Sequence, residues 1–474
     1  MDRRTFLAGC LSAPALIAAA RPQQAAPRLA TVSVDLAAPS GRFPFGLGRQ
    51  LSAIPQSWRY GPATLAALDA LQLERVRVWL RFTRTVDPAT RRPDYARWYD
   101  YLDTYHQRAQ RVLVNWQTDY DPLVTSGGWT AEQLYTAQVD MLAHYKRRYP
   151  KIEYIEVENE DLGVPADAPR YYEKYRLAYR VVNAVNAMNL PGPRLLVGGP
   201  TLDVFSTLRL GAFLDQYARD GDQAKRLDFI SYHQYLINTG GGAWDALKDE
   251  PAIVRTERQQ VVDLLRARGL PAVPVLVTEI GVFPGTRESP RGFDADLHIQ
   301  AACAASLHYH YAGQQDIIPF DWTIDHPEND RKDLFVDLAT GVPRPYYAAL
   351  RQLTTLPPTR VRATSDALSP QGTGVYGLAA ASGSTVAVMT WNYQWTGTAA
   401  YDSRIVLTGF SGAFRTSSVR VTRYRVAHDV HAGGLNPVET FVIPPRTDGT
   451  YYSQTLPLAP NELRLLVLEP TRAP

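Results

Sequence analysis

Cysteine is nearly absent: the 474 residues hold two, Cys10 and Cys303. That excludes a disulfide framework and any metal site built on several thiolates. A dominant charge sign is missing too, since 50 Lys+Arg stand against 47 Asp+Glu, a formal net charge of +3. With no Lys/Arg-rich run either, a protein whose business is coating nucleic acid is excluded. The N-terminal apolar run is too short for the ~20 residues of a spanning helix. A glycine-rich phosphate turn is also lacking. Gly46-Leu47-Gly48-Arg49 has no third glycine and no helical pattern behind it, which argues against a doubly wound nucleotide-binding sheet.

What is present is apolar and aromatic. At 45% apolar residues the chain has ample core material, and whole-chain disorder is excluded. Its length exceeds the ~250–300 residues at which a single core stops growing, so two domains are expected. Aromatic residues reach 11%, with 27 Tyr and 9 Trp. Such flat, amphipathic side chains suit sugar rings, although a large α/β core uses many as well.

The chain opens Met1-Asp2-Arg3-Arg4-Thr5-Phe6-Leu7, followed by small apolar residues up to Ala18-Ala19-Ala20. Paired arginines before a Phe-Leu step and a modest apolar region resemble a twin-arginine export signal over residues 1–20. Leu7-Ala8-Gly9-Cys10 imitates a lipidation box but precedes any apolar region, so lipidation is discounted. Cleavage near Ala20 would leave Cys303 as the only thiol, with no stable membrane insertion and a periplasmic or secreted location.

From about residue 43 to 350, β-branched and aromatic runs alternate with segments of helical period. The runs are Phe43–Ala53, Arg75–Phe82, Arg111–Gln117, Ile152–Glu160, Arg194–Leu202, Leu227–Tyr235, Pro274–Val282 and Asp316–Asp325. Helical patterns between them include Ala131–Arg148 and Pro169–Met188, with Gly or Pro at their exits. Eight β-then-α units predict a (β/α)8 TIM barrel over residues 39–356. After Leu356-Pro357-Pro358 only short alternating runs remain, which predicts an antiparallel β-sandwich over 357–474. An early strand within 29–38 is expected to join that sandwich.

In such a barrel chemistry sits at the C-terminal ends of the strands. The fourth run ends Glu156-Val157-Glu158-Asn159-Glu160 and the seventh ends Thr278-Glu279-Ile280-Gly281. Two carboxyl groups facing each other across the barrel axis suit retaining glycoside chemistry, in which ~5–5.5 Å separates acid/base from nucleophile. Glu160 is the expected acid/base and Glu279 the expected nucleophile. The acid must hold its proton near neutral pH, which burial and a like-charged partner can arrange. Strand parity would set Glu156, Glu158 and Glu160 on one face, with Glu156 as a buried partner for an arginine such as Arg77. Glu158 is open between pocket residue and structural partner.

Asn159-Glu160 at the fourth strand and Glu279 at the seventh resemble the retaining glycoside hydrolases of clan A. Gly46-Leu47-Gly48-Arg49, Arg77, Phe229-Ile230-Ser231-Tyr232-His233-Gln234-Tyr235, and the Gly341 turn before Pro343-Arg344-Pro345-Tyr346-Tyr347 look most like glycoside hydrolase family 39. The stretch Leu456-Pro457-Leu458-Ala459-Pro460-Asn461-Glu462-Leu463 resembles the sandwich strand that closes such chains. The resemblance implies an oligosaccharide, polysaccharide or glycoside substrate and no cofactor. It implies that Asn159 bonds the hydroxyl next to the reacting carbon, that Tyr235 or His233 orients Glu279, and that Arg77 lies near the nucleophile. Trp322 becomes a stacking floor for the sugar, and Trp116 and Trp129 wall candidates. The chain departs from the family pattern at Glu158 (usually Trp), Asp161 (usually Pro) and Trp79 (often His).

Simpler readings stand beside these. Trp322 serves barrel packing as readily as stacking, and Arg77 and Arg81 are possible structural counter-charges. His308-Tyr309-His310 imitates a metal-binding pair, but helix residues two apart do not share a face. No metal is expected. A catalytically silent carbohydrate-binding or polysaccharide-assembly protein on the same fold is the main alternative, and a metal-dependent barrel hydrolase the second. Loops 238–247 and 283–293 are expected to set the depth of the cleft.

Overall fold

The computed structural model describes residues 26–55, 57–236, 247–282, 297–324, 333–427, 435–444 and 452–471. The expected export signal, residues 1–20, and nearly all of the two loops expected to shape the cleft lie outside the described residues. No helix among the described residues is long and apolar enough to cross a membrane.

Strand β1 (Arg28–Arg42) precedes the barrel. Strands β2 (Gln50–Ser52), β3 (Arg75–Arg81), β4 (Arg111–Gln117), β5 (Ile152–Val157), β6 (Leu196–Leu202), β7 (Phe229–Tyr235), β8 (Val275–Gly281) and β9 (Ile317–Asp321) form a closed parallel barrel. Leu51 beside Asp321 completes the ring. Every barrel strand but β3 is buried on nearly every residue, as parallel strands sandwiched between side-chain layers require; β3 leaves Arg81 exposed and Arg75 and Trp79 half-buried. The lower interior is plugged by Leu113, Tyr154, Phe229, Leu276 and Phe320. Local chemistry fixes the helices between strands. Thr130 caps helix Ala131–Arg148 by accepting from Gln133 N (3.1 Å), while the Gln133 side chain accepts from Thr130 N (3.0 Å).

Three barrel strands are shorter than the sequence predicts by three residues or more, the eighth among them, which covers only Ile317–Asp321. The first shrinks to Gln50–Ser52 because the preceding turn holds Gly48 at φ +67°, where a Cβ would meet the Leu350 carbonyl at 2.9 Å. The fourth stops at Val157, since Glu158 and Glu160 adopt left-handed φ of 57° and 54°.

A small ribbon, β10 (Phe335–Asp337) with β11 (Val342–Pro343), leads into the last barrel helix, Pro345–Thr354. The remaining strands are β12 (Thr359–Ser365), β13 (Gly374–Ala381), β14 (Val386–Tyr393), β15 (Tyr401–Thr408), β16 (Val419–Val426), β17 (Pro437–Ile443), β18 (Tyr452–Leu458) and β19 (Leu463–Pro470). With β1 they make one sheet in the order β17-β16-β19-β14-β13-β12-β1-β15-β18. All neighbours are antiparallel except β1 and β15. Side chains from both halves of this sheet, such as Val32, Val388, Ile405 and Leu468, share one core, so the sheet folds over on itself as a sandwich. The expected closing strand is in fact two. Residues 456–458 end β18, a turn follows, and β19 begins at Leu463. Pro457 is tolerated because β18 is an edge strand.

The sheet is also bonded to the barrel. Trp391 Nε1 donates to Ser306 Oγ at 2.9 Å, and the Trp391 ring stacks on Tyr376 with 4.6 Å between centroids. The two histidines of 308–310 diverge as helix geometry demands: His308 Nε2 meets Asp321 Oδ2 (2.9 Å), and His310 Nε2 meets Tyr376 OH (3.0 Å).

Candidate active site

The upper end of the barrel gathers polar side chains above the apolar plug. Arg77, on β3, is wholly buried and distributes its guanidinium over three acceptors. Nε donates to Glu156 Oε2 (2.6 Å), Nη1 to Glu279 Oε1 (2.7 Å) and Nη2 to Asn159 Oδ1 (2.7 Å). Glu156 also accepts from Asn115 Nδ2 (3.0 Å) and Thr278 Oγ1 (2.7 Å). Burial alone would push its carboxyl up, but the charges of Arg77 and His233 and these hydrogen bonds hold it below the usual range. Glu156 is thus the buried arginine partner that the sequence suggests.

Glu279 owes its direction to a bulge. Pairing between β7 and β8 slips after Tyr232 and Val277, so that His233 faces Glu279 and Thr278 is the extra residue. Both Thr278 and Glu279 then reach the barrel interior, where regular alternation would send one outward. Tyr235 OH donates to Glu279 Oε2 at 2.5 Å, so Tyr235 and Arg77 between them occupy both carboxylate oxygens.

Glu160 stands across the mouth. Its backbone N–H donates to Thr201 O (2.9 Å), and Asn115 Nδ2 holds the Glu158 carbonyl (2.5 Å), which together pin the left-handed turn. A non-glycine residue at positive φ costs about 1 kcal/mol or more, so this presentation of Asn159 and Glu160 is maintained by its surroundings. His233 Nδ1 meets Glu160 Oε1 at 2.8 Å, and its Nε2 lies 3.5 Å from Glu279 Oε1. One carboxylate oxygen each of Glu160 and Glu279 and one ring nitrogen of His233 fall within 4.8 Å of one another. The trio has the donor types for a metal ion, but a cation there would compete with the Arg77 and Tyr235 hydrogen bonds to Glu279.

The protonation of Glu160 differs from the sequence-based expectation. Burial pushes its carboxyl up. The His233 hydrogen bond and charge, with Arg77 and Arg209 nearby, outweigh burial and hold it below the usual range. Its side chain is 41% exposed, which limits the desolvation that would keep a proton on it.

Three further expectations are corrected. Glu158 does not share the orientation of Glu156 and Glu160. The left-handed turn swings it to Thr118, whose N–H (3.0 Å) and hydroxyl both donate to Oε1. Burial raises its carboxyl to about 7 against the lowering influence of Thr118 and Lys174. Trp116 lies on the outward parity of β4 and is sealed in the core with Nε1 on Gln138 Oε1 (2.9 Å), so it is no pocket wall. Trp129 is likewise core, edge-on to Phe82 and bonded to the Pro88 carbonyl (3.1 Å).

Trp322 does stand at the site. With Ile54, Tyr235 and Trp79 it forms an apolar cluster beside Glu279's hydrogen-bond donor. Trp79 lies under the Arg77 guanidinium at 4.7 Å. These two tryptophans are the inner wall of a cavity of about 810 Å³ that extends over the ends of β2, β3, β4 and β9. Sequence reading singled out neither Asn115 nor Thr278. The signal for Asn115 was a polar residue on the same parity as the plug residue Leu113, in an otherwise apolar strand.

Solved structures with this architecture are numerous. One is the glycoside hydrolase family 39 enzyme from Xanthomonas axonopodis pv. citri, 18% identical over 95% of this chain and 98% of that one, with a TM-score of 0.67. Another is a monomeric β-xylosidase from Caulobacter crescentus CB15, 15% identical over 93% of this chain and 100% of that one, TM-score 0.69. A bacterial orthologue of human α-L-iduronidase gives 15% identity over 94% of this chain and 85% of that one, TM-score 0.69. The chain has the fold of these glycoside hydrolases. At such identities the likeness is one of architecture. No family model and no curated protein matches the sequence.

Proposed function

We propose that this protein is a retaining glycoside hydrolase, with Glu279 as nucleophile and Glu160 as acid/base. The observation that carries the reading is the approach of the Glu160 and Glu279 carboxylate oxygens to within 4.8 Å, each from the end of a different barrel strand. So close an approach suits the ~5–5.5 Å of retaining enzymes better than the ~6.5–9.5 Å of an inverting pair, which must admit a water between its carboxyl groups. In the first step a Glu279 oxygen bonds the anomeric carbon while the glycosidic bond breaks and its oxygen takes the proton of Glu160. In the second, Glu160 takes a proton from water, whose oxygen bonds the anomeric carbon and releases Glu279. Arg77 and Tyr235 orient the nucleophile, and Asn159, itself held by Arg77, offers its amide to the neighbouring sugar hydroxyl. To act as an acid Glu160 must gain a proton, and a sugar that shields its exposed face from water pushes it in that direction.

The test is covalent. A 2-fluoro glycoside should inactivate the enzyme and add one glycosyl mass to the peptide containing Glu279, and product anomers followed by NMR should retain configuration. Inversion of configuration, or loss of activity on chelation with no labelling, would overturn the assignment. Residues 1–20 support export through a twin-arginine route. Arg3→Lys with Arg4→Lys should hold the protein inside the cell, where fractionation would find it.

A further inference from the structure

The cavity beside the carboxylate pair has an unbalanced rim. Arg81, Arg84 and Arg97 line it against a single carboxylate, Asp100, although the whole chain is almost neutral. Arg81 is already engaged, its Nε on Asp119 Oδ1 at 2.9 Å, and Asp119 is itself fixed by the Thr83 N–H (2.8 Å) and hydroxyl (2.7 Å). Arg84, on the short turn Phe82–Thr85, and Arg97, on the turn Tyr95–Trp98, are exposed and have no ion pair among the described residues. Below them Trp79 leaves its buried indole N–H without an acceptor among the described residues. The cavity therefore offers aromatic faces and an excess of donors, with Gln117 and Asp100 as its polar acceptors. Neutral sugar hydroxyls both donate and accept and are met by mixed partners. A rim of guanidinium forks matches a carboxylate or sulfate, which only accepts.

We infer that this cavity takes an anionic saccharide unit, its carboxylate or sulfate held by Arg84 and Arg97 with the ring against the tryptophans. The inference rests on the glycosidase reading of the site and adds which part of the substrate bears the charge. Glu160 follows β5 and His233 is on β7, whereas the cavity lies over β2, β3, β4 and β9. The leaving group receives its proton from Glu160 and departs on that side. The cavity thus holds the portion that becomes attached to Glu279, and the charge belongs there rather than on the leaving group.

The experiment separates binding from turnover. Full-length protein carrying Glu279→Gln is titrated by tryptophan fluorescence with three oligosaccharides of equal length: an oligogalacturonate, a sulfated galacto-oligosaccharide and a neutral galacto-oligosaccharide. At least one anionic ligand should bind roughly tenfold or more tightly than the neutral one, and the gap should shrink at about 0.5 M salt. A stronger oligogalacturonate identifies the carboxylate as the recognised group, and a stronger sulfated oligomer identifies the sulfate. Adding Arg84→Ala and Arg97→Ala should bring the preferred anion down to the neutral affinity. Neutral binding as tight as anionic, or an anionic preference untouched by the double change, would overturn the inference. The wild-type protein is then assayed on aryl glycosides with the charge on the glycone or on the leaving group. Preference for the leaving-group charge also overturns the inference. Anionic binding without any cleavage would sink the glycosidase reading and leave the ligand assignment standing.

Discussion

Arg77 Nη1 and Glu279 Oε1 lie 2.7 Å apart, with the Arg77 side chain wholly buried and that of Glu279 only 6% exposed. The same guanidinium grips Glu156 and Asn159, so one cation sets the positions of three groups from two other strand ends. A buried carboxylate deprived of its partner costs about 3–5 kcal/mol. Arg77→Met should therefore destabilise the fold by that order, measured by denaturant unfolding. Arg77→Lys keeps the charge without the fork, so thermal unfolding should move little while kcat/KM falls by about a hundredfold.

His233 is the largest influence holding Glu160 below the usual carboxyl range once burial is set aside. Removing it should raise the Glu160 value. A general acid works only while protonated, so the alkaline limb of kcat/KM against pH should move to higher pH in His233→Ala. An alkaline limb that stays in place would show that His233 does not govern this proton.

Two buried carboxyl groups make stability fall with rising pH. Burial raises Glu158 to about 7 and Glu257 to about 8, the latter against hydrogen bonds from Tyr232 (2.8 Å) and Tyr311 (2.9 Å). Both stand above the usual 4.5. Their contribution is complete below that value and is lost as pH rises through about 7 and about 8, at about 1.4 kcal/mol per unit of displacement. The melting temperature should decline from pH 5 to pH 9, and Glu257→Gln should flatten the upper part of that decline.

Barrel and sheet share a core in which Tyr376, Met389, Trp391 and Leu465 pack among barrel-helix residues. Calorimetry should give one transition. Trp391→Ala removes a fully buried ring and its hydrogen bond to Ser306, a loss of about 3–5 kcal/mol, and should lower the transition or split it in two.

Much of this architecture is readable from strand-sized runs, because parallel barrel strands are apolar on both faces and are separated by helices with caps. The carboxylate pair is readable for a related reason, since Glu160 and Glu279 stand at the C-terminal ends of such runs. Their orientation is not. The sequence carries no mark of the bulge at Thr278 that turns Glu279 inward. It carries no mark of the left-handed Glu158 and Glu160 either, which depend on Asn115 and on the Thr201 carbonyl from other strands. Trp116 shows the reverse case. Its neighbour Asn115 is polar within an apolar run and must face the acids, so alternation alone places the indole among the helices. Edge strand β18 escapes a periodic reading because Pro457 interrupts it.

Strand β1 lies between β12 and β15, with Val32 opposite Ser365 on one side and Ile405 on the other. A nascent chain therefore synthesises this ribbon ahead of its partners and cannot seat it until several hundred residues later, when both have emerged. In the interval Ala30, Val32 and Val34 belong to an apolar edge open to any other strand. Cutting the gene at the barrel's last helix would make that interval permanent, so excising the barrel in usable form means removing strand β1 together with the C-terminal sheet.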